Sequence, residues 1–255
     1  MLLVIAPFLI PLFFALTAGA FAAGVRYRRR EMDRRRRLQL SDLAQRLGLQ
    51  FREKDDFGLL QQLKNFDLFF RRRRWFHSGQ IANVMSGRVG ETDVYLFDYI
   101  YYVSSNNNRR RIVQTVFFAN DKNWFLPNFK LEPETWYHKV MDRLGMSTDI
   151  NFEEHPEFSD SFRLKGELAD LIRDKFSSSV RDFLTERPPS HLEGNNYYFI
   201  AYKPRKKLNA DEAEVFWENC NRLVELLKKE GKTELLNLAE LKPVEMPEKL
   251  RSEND

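Results

Sequence analysis

One cysteine in 255 residues leaves this chain without an internal disulfide and without the thiolates of a Cys-based zinc site, which suits it to a reducing compartment. Histidine is nearly as scarce. His77, His138, His155 and His191 stand alone, with no pair three or four residues apart that would aim two ring nitrogens at one metal. Glu153-Glu154-His155 reads as a solvated turn, because adjacent side chains diverge and Pro156 follows. Neither the Walker phosphate loop nor Gly-x-Gly-x-x-Gly occurs, and the Gly-x-Ser-x-Gly elbow is missing too. The common nucleotide, metal and hydrolase signatures are therefore excluded, and no cofactor or metal is expected.

Charge is absent from residues 1–25 and then abruptly abundant. Arg26, Arg28, Arg29, Arg30, Arg34, Arg35, Arg36 and Arg37 face only Glu31 and Asp33, whereas the tail after Gly231 is net acidic and segment 38–231 is neutral. The pI of about 9.1 thus belongs to one collar beside an apolar stretch, a membrane-topology signature. As a helix, Met1 to Val25 would reach about 37 Å against a hydrocarbon core of about 30 Å. A cleaved signal peptide is the rival reading, with Thr17 to Ala23 offering small residues for a cleavage site. Against it, no Lys or Arg precedes the apolar run and eight Arg follow it. The expectation is a single-pass transmembrane helix at the cell membrane, amino terminus outside and domain cytoplasmic. The arginines would set that topology and could add contact with anionic headgroups of the lipid bilayer. Ala15, Gly19 and Ala23 form a small-residue stripe that would let two spanning helices pack as a homo-oligomer.

The chain has material for a core: it is 43% hydrophobic with 22 Phe, 18 of which lie after the apolar stretch. Leu40, Leu43, Ala44 and Leu47 at helical spacing, closed by Gly48, predict a short helix leaving the membrane. Asp55 or Asp56 can cap a second helix carrying Phe57, Leu60, Leu63 and Phe66. Three runs rich in β-branched and aromatic residues follow: Ile81 to Met85, Val94 to Val103 and Ile112 to Phe118. Gly, Asn and Ser clusters separate them, so they predict an antiparallel meander. Phe129-Lys-Leu-Glu-Pro-Glu134 and Phe162-Arg-Leu-Lys-Gly-Glu167 share a strand-into-helix pattern, either a duplication or a reused local solution. The first would lead to a helix with Trp136, Val140, Met141 and Leu144 inward. A helix near 178–186 and a strand from Tyr197 to Tyr202 come next. The last helix is capped by Asn209 with Glu212 three residues on, and it carries Ala213, Phe216, Trp217, Cys220, Leu223, Val224 and Leu227 on one face. Cys220 therefore reads as a buried thiol.

The expected class is α+β: a transmembrane helix over 1–25, a basic juxtamembrane segment and short helix over 26–54, and a domain over 55–231 with helices covering an antiparallel sheet. A subdivision into two similar halves near residue 147 fits the pattern, and 232–255 reads as a largely disordered acidic tail.

Arg71, Arg72, Arg73 and Arg74 before Trp75-Phe76, and Arg109, Arg110 and Arg111 after three Asn, are basic contact loops near aromatics. The neutral body argues against nucleic acid, so these loops are expected to face anionic lipid or an acidic partner. Gly87-Arg-Val-Gly90 resembles the loop of a nucleic-acid-binding KH domain, but it lies between strands and reads as a hairpin turn. Asp98, the acidic residue amid the aromatics of the second strand, invites a functional reading, although on a half-exposed sheet it could equally point to water.

Several segments together resemble uncharacterised bacterial membrane-anchored proteins: Ala44-x-x-Leu-Gly-Leu-x-Phe51, Asn83-Val-Met-Ser-Gly87, Phe97-Asp-Tyr-x-Tyr101, Gln114-Thr-Val116, Leu126-Pro-x-Phe-x-Leu131 and Pro156-x-Phe-x-x-x-Phe162. The portion from Phe158 to Tyr202 is similar to the end of a bacterial family known only as a domain of unknown function. These are apolar, Gly and Pro positions, so the resemblance implies architecture and membrane attachment and carries over no catalytic residue. The leading functional expectation is a membrane-anchored, non-enzymatic interaction or scaffold protein with an unknown protein partner. The alternative is a membrane-tethered enzyme with a dispersed active site.

Overall fold

A computed structural model describes residues 6–69, 79–105, 108–134, 149–187 and 191–229. Helix α1 (Ala6–Arg46) opens the chain and is followed by β1 (Gln50–Lys54) and α2 (Leu59–Gln62). Strands β2 (Gln80–Val89), β3 (Thr92–Ser105), β4 (Asn108–Asn120) and β5 (Leu126–Pro133) come next. The second part holds α3 (Pro156–Ser161), β6 (Phe162–Gly166), α4 (Ala169–Lys175) and α5 (Ser178–Glu186). Strands β7 (His191–Asn196) and β8 (Tyr198–Tyr202) and helix α6 (Ala210–Lys229) complete it. The eight strands form one sheet in the order β1-β2-β3-β4-β8-β7-β5-β6, antiparallel throughout.

The α+β class and the β2–β3–β4 meander match the sequence reading. The meander's long ladder runs from Asp93 opposite Asn120 to Ser105 opposite Asn108. Period-2 alternation sends Leu96 and Phe117 to one face and Phe97, Tyr99, Val116 and Phe118 to the other. The first face is covered by α1, α6 and the α3–α5 helices, the second by the segment 57–69, with Leu59, Leu63 and Phe66 inward. Asp55 is the residue that caps this segment, accepting from the amides of Leu59 (3.0 Å) and Leu60 (3.3 Å).

Helix α6 folds as its sequence dictates. The Asn209 side chain accepts from the Glu212 amide at 2.8 Å, and Glu212 accepts from the Asn209 amide at 3.0 Å. All seven residues of its apolar stripe are buried. Each such side chain removed from water contributes on the order of 1.5–3 kcal/mol. Gly194 shows where size is limiting, because a Cβ there would lie 2.2 Å from the Phe129 ring.

Several expectations change. The juxtamembrane segment and the short helix after it are not separate pieces: α1 runs unbroken for 41 residues to Arg46, and the last part of 26–54 is strand β1. The two similar hexapeptides pair with each other, Phe129 opposite Gly166 and Pro133 opposite Phe162, with β6 at the sheet edge and β5 between it and β7. The division near residue 147 and the helix around Trp136 fall in 135–148, outside the described residues, and the sheet runs through both sides of that point by the β4–β8 pairing. The acidic tail 232–255 and Arg71 to Arg74 also lie outside the described residues. So do residues 1–5 and the side chains of 6–16, which hold most of the apolar stretch and Ala15. Among the described residues no helix is long and apolar enough to cross a membrane.

Candidate interaction surface at the helix–sheet junction

Asp98 does not point to water. It is 2% exposed, on the face that α1 covers, and its carboxylate accepts four hydrogen bonds from three side chains. Arg36 forks onto it, Nη1 to Oδ2 at 2.6 Å and Nη2 to Oδ1 at 2.9 Å. Asn83 Nδ2 donates to Oδ2 at 2.8 Å and the Thr115 hydroxyl to Oδ1 at 3.1 Å. A β-bulge makes the Asn83 contact geometrically accessible. Asn83 and Val84 together oppose Phe97, and Asn83 adopts φ 52°, which re-aims its amide along the sheet. Arg36, grouped in sequence with the arginines that set topology or meet headgroups, is instead held in this network, only 11% of its side chain being exposed.

The same junction holds the loop between β8 and α6. Arg36 Nε donates to the Leu208 carbonyl at 2.7 Å, and the Leu208 amide donates to Thr115 Oγ1 at 3.1 Å. The Thr115 amide donates to the Lys206 carbonyl at 2.9 Å, and the Arg205 amide, at φ 60°, reaches Gln114 Oε1 at 3.1 Å. Lys207 Nζ lies 2.5 Å from Asp33 Oδ1 on α1. Burial alone would raise the Asp33 carboxyl, but Lys207, then Arg111 and Arg29, outweigh it and hold it below the usual range. Helix, sheet and loop are therefore one network, and its outer members are basic.

Arg26, Arg28, Arg29, Arg30, Arg34 and Arg35 are exposed along α1, Arg35 pairing with Glu31 at 2.9 Å. Arg37 is half-buried and pairs with Glu53 at 2.8 Å. Gly19 and Ala23 of the small-residue stripe face outward, and a Cβ at Gly19 would meet nothing within 4 Å. Arg109, Arg110 and Arg111 belong to strand β4 rather than to a loop, and Arg109 lies 4.1 Å over the Tyr102 ring. Lys203, Arg205 and Lys206 are exposed basic residues that the sequence reading passed over. Lys203 and Lys206 rim a groove of about 640 Å³ whose floor includes Leu208, Phe216 and Cys220. The Cys220 thiol is 1% exposed and burial pushes it well up, which keeps it unreactive.

Two other polar clusters flank the sheet. At the far end of α6, Lys228 reaches Asp121 Oδ2 and donates to Thr92 Oγ1 at 2.9 Å, and the Thr92 hydroxyl donates to Asp121 at 2.9 Å. Burial raises the Asp121 carboxyl, but Lys228 and the Asn123 amide together hold it low. On the opposite face a cleft of about 440 Å³ is lined by Asp67, Lys130, Glu132 and Glu193. Glu193 is 4% exposed, and its neutral partners are the Tyr202 hydroxyl at 2.8 Å and the Asp67 amide at 2.7 Å. Burial therefore wins and raises its carboxyl, with the Asp67 charge adding to it. Glu132 is the reverse, held low by Lys130 at 3.1 Å despite burial. His191 stacks on Tyr202 with ring centroids 5.2 Å apart. His155 faces Asp182 at 2.7 Å, while His77 and His138 lie outside the described residues. Among the described residues no three His, Cys, Asp or Glu side chains converge where a metal ion could sit.

No protein-family model and no curated protein matches the chain. Among solved structures, it is similar to the crystal structure of the mycobacterial trehalose monomycolate transport factor A, TtfA. The TM-score is 0.47 and the identity 11%, over 76% of this chain and 93% of that one.

Proposed function

We propose that the chain is a single-span protein of the cell membrane, amino terminus outside, whose cytoplasmic α+β domain is a non-enzymatic interaction or scaffold module. The observation that carries this is the helix α1, continuous from the apolar stretch into the domain and keyed to it by Arg36 on Asp98. An anchor joined so tightly to a sheet suits a protein whose task is to hold a surface in a fixed place. The uncharged first 25 residues and the arginines after them support both the span and its direction. Exposed Phe21 and Val25 on α1 fit a lipid environment. In intact cells a tag after Asp255 should resist added protease and become cleavable once the membrane is opened. Cleavage in intact cells, or a mature chain beginning near Ala22, overturns the assignment. Crosslinking in native membrane with recovery of the joined protein tests the scaffold role.

A second reading, a membrane-tethered enzyme, is favoured by one observation: the raised Glu193 carboxyl beside the lowered Glu132 in one cleft, the pairing that acid–base chemistry uses. A small-molecule panel that raises the melting temperature of the native chain, but not of Glu193→Ala, would favour this reading. Recovery of a stable protein complex together with an inert panel favours the first.

A further inference from the structure

We propose that the domain lies down on the inner leaflet through a three-part basic surface that binds anionic phospholipid headgroups. The proposal rests on the membrane reading above and adds to it a second contact, made by the domain rather than by the anchor.

The parts come from distant stretches. Residues 26–35 of α1 carry six exposed arginines, and β4 adds exposed Arg109 and Arg110 and half-buried Arg111. Residues 203–207 carry four basic side chains and no acidic one. The junction brings them together. Asp33 on α1 touches Lys207, and Arg29 and Arg111 act on the same carboxyl. The β4 end that holds Arg109 to Arg111 therefore projects toward the amino-terminal side of α1, the side of the apolar stretch. Among the described residues, Glu31 is paired with Arg35, Asp33 with Lys207 and Glu212 with Lys206, and Asp211 beside the groove is outnumbered by Lys203, Arg205 and the exposed arginines of α1.

Distance decides for a membrane. Eight residues of helix separate Val25 from Asp33, a rise of about 12 Å. The headgroup layer extends about 5–7 Å beyond the hydrocarbon core on each side. Lys207 and its neighbours therefore stand within one Debye length, about 8 Å, of a charged leaflet. A neutral leaflet would offer them nothing, whereas an anionic one attracts each basic group that reaches it.

The test uses the full chain in nanodiscs of phosphatidylcholine alone or with roughly one-third phosphatidylglycerol, a strongly anionic surface. Lysines are acylated with a water-soluble reagent and their rates read by mass spectrometry. Lys203 and Lys206 should react several-fold more slowly in the anionic discs, and salt near 0.5 M should erase the difference. Lys122, exposed beyond the other end of β4, should react equally in both. Arg109→Gln with Arg110→Gln should weaken the protection at Lys203 and Lys206, because both elements share the surface. Equal rates in the two discs overturn the docking while leaving the anchor intact. A chain that enters neither disc overturns the membrane reading and the docking with it. Protection by added RNA in phosphatidylcholine discs, with none from phosphatidylglycerol, reassigns the surface to nucleic acid and overturns the proposal.

Discussion

On the helix-covered side of the sheet, Asp98, Asp33 and Asp121 each meet a cation: Arg36, Lys207 and Lys228. On the other side, Glu193 meets a phenol and a backbone amide. All four carboxyls are wholly or partly removed from water, yet the Asp33 and Asp121 groups are held low and the Glu193 group is driven up. The sign follows the partner rather than the burial. The long helices bring Arg36 and Lys228 and the β8–α6 loop brings Lys207, their stems lying along apolar surface while their heads reach a carboxylate. On the aromatic face, covered by the short segment 57–69, Glu193 meets Tyr and amide donors instead, while Lys130 there pairs with Glu132 and Asp67.

The largest effect should come from Asp98→Ala, which leaves Arg36 buried without its counter-charge. A loss of about 3–5 kcal/mol in urea unfolding is expected. Arg36→Met combined with Asp98→Leu should recover most of it, since a packed apolar pair avoids both desolvation penalties. Failure of the double variant to exceed the single one would mean that the bond to the Leu208 carbonyl, not the ion pair, holds the junction.

A smaller effect separates the two faces by pH. The Glu193 contribution is complete below the ordinary glutamate value of about 4.3 and declines as pH rises through its raised native value. The Asp121 contribution is complete above the ordinary value of about 3.9 and is lost as pH falls through its lowered native value. Melting temperatures of Glu193→Gln should therefore lack the decline toward neutral pH, and those of Asp121→Asn the loss in acid. Parallel curves for wild type and Glu193→Gln would contradict the account of that cleft.

The smallest effect calibrates the rest. Arg222 and Glu225 pair at 3.1 Å on the outer side of α6, with more than half of each side chain exposed. Arg222→Ala should change stability by less than about 0.5 kcal/mol, the same chemistry as Arg36 without the burial.

What could be read from residues alone was whatever repeats locally. The stripe and capping box of α6 declare themselves within three turns, and β2 to β4 announce themselves by aromatic and β-branched runs. Strand β7, His191-Leu-Glu-Gly-Asn-Asn196, has no such run; it is a strand because β5 and β8 flank it. The Arg36–Asp98 pair spans 62 residues, and four consecutive arginines look alike. Two signals could have found it. Arg36 stands four residues before Leu40 and seven before Leu43, so the buried stripe of α1 extends through it. Asp98 shares the phase of Val94 and Leu96 in a strand apolar on both faces, the mark of burial rather than of a wetted side. The Lys203–Lys207 loop offers no periodicity, and only the junction reveals its neighbours.

The unbroken helix α1 is also a phase lock. Each residue advances a helix by about 100° and 1.5 Å, and Arg36 fixes the rotation of the carboxyl-terminal part against the sheet. The direction in which the domain faces, seen from the apolar stretch, is therefore set by how many residues separate the two. One residue inserted between Val25 and Asp33 would swing the domain by about 100°, whereas seven would return it to within about 20°. The length of the arginine collar, independently of its charge, acts as a compass bearing for the domain.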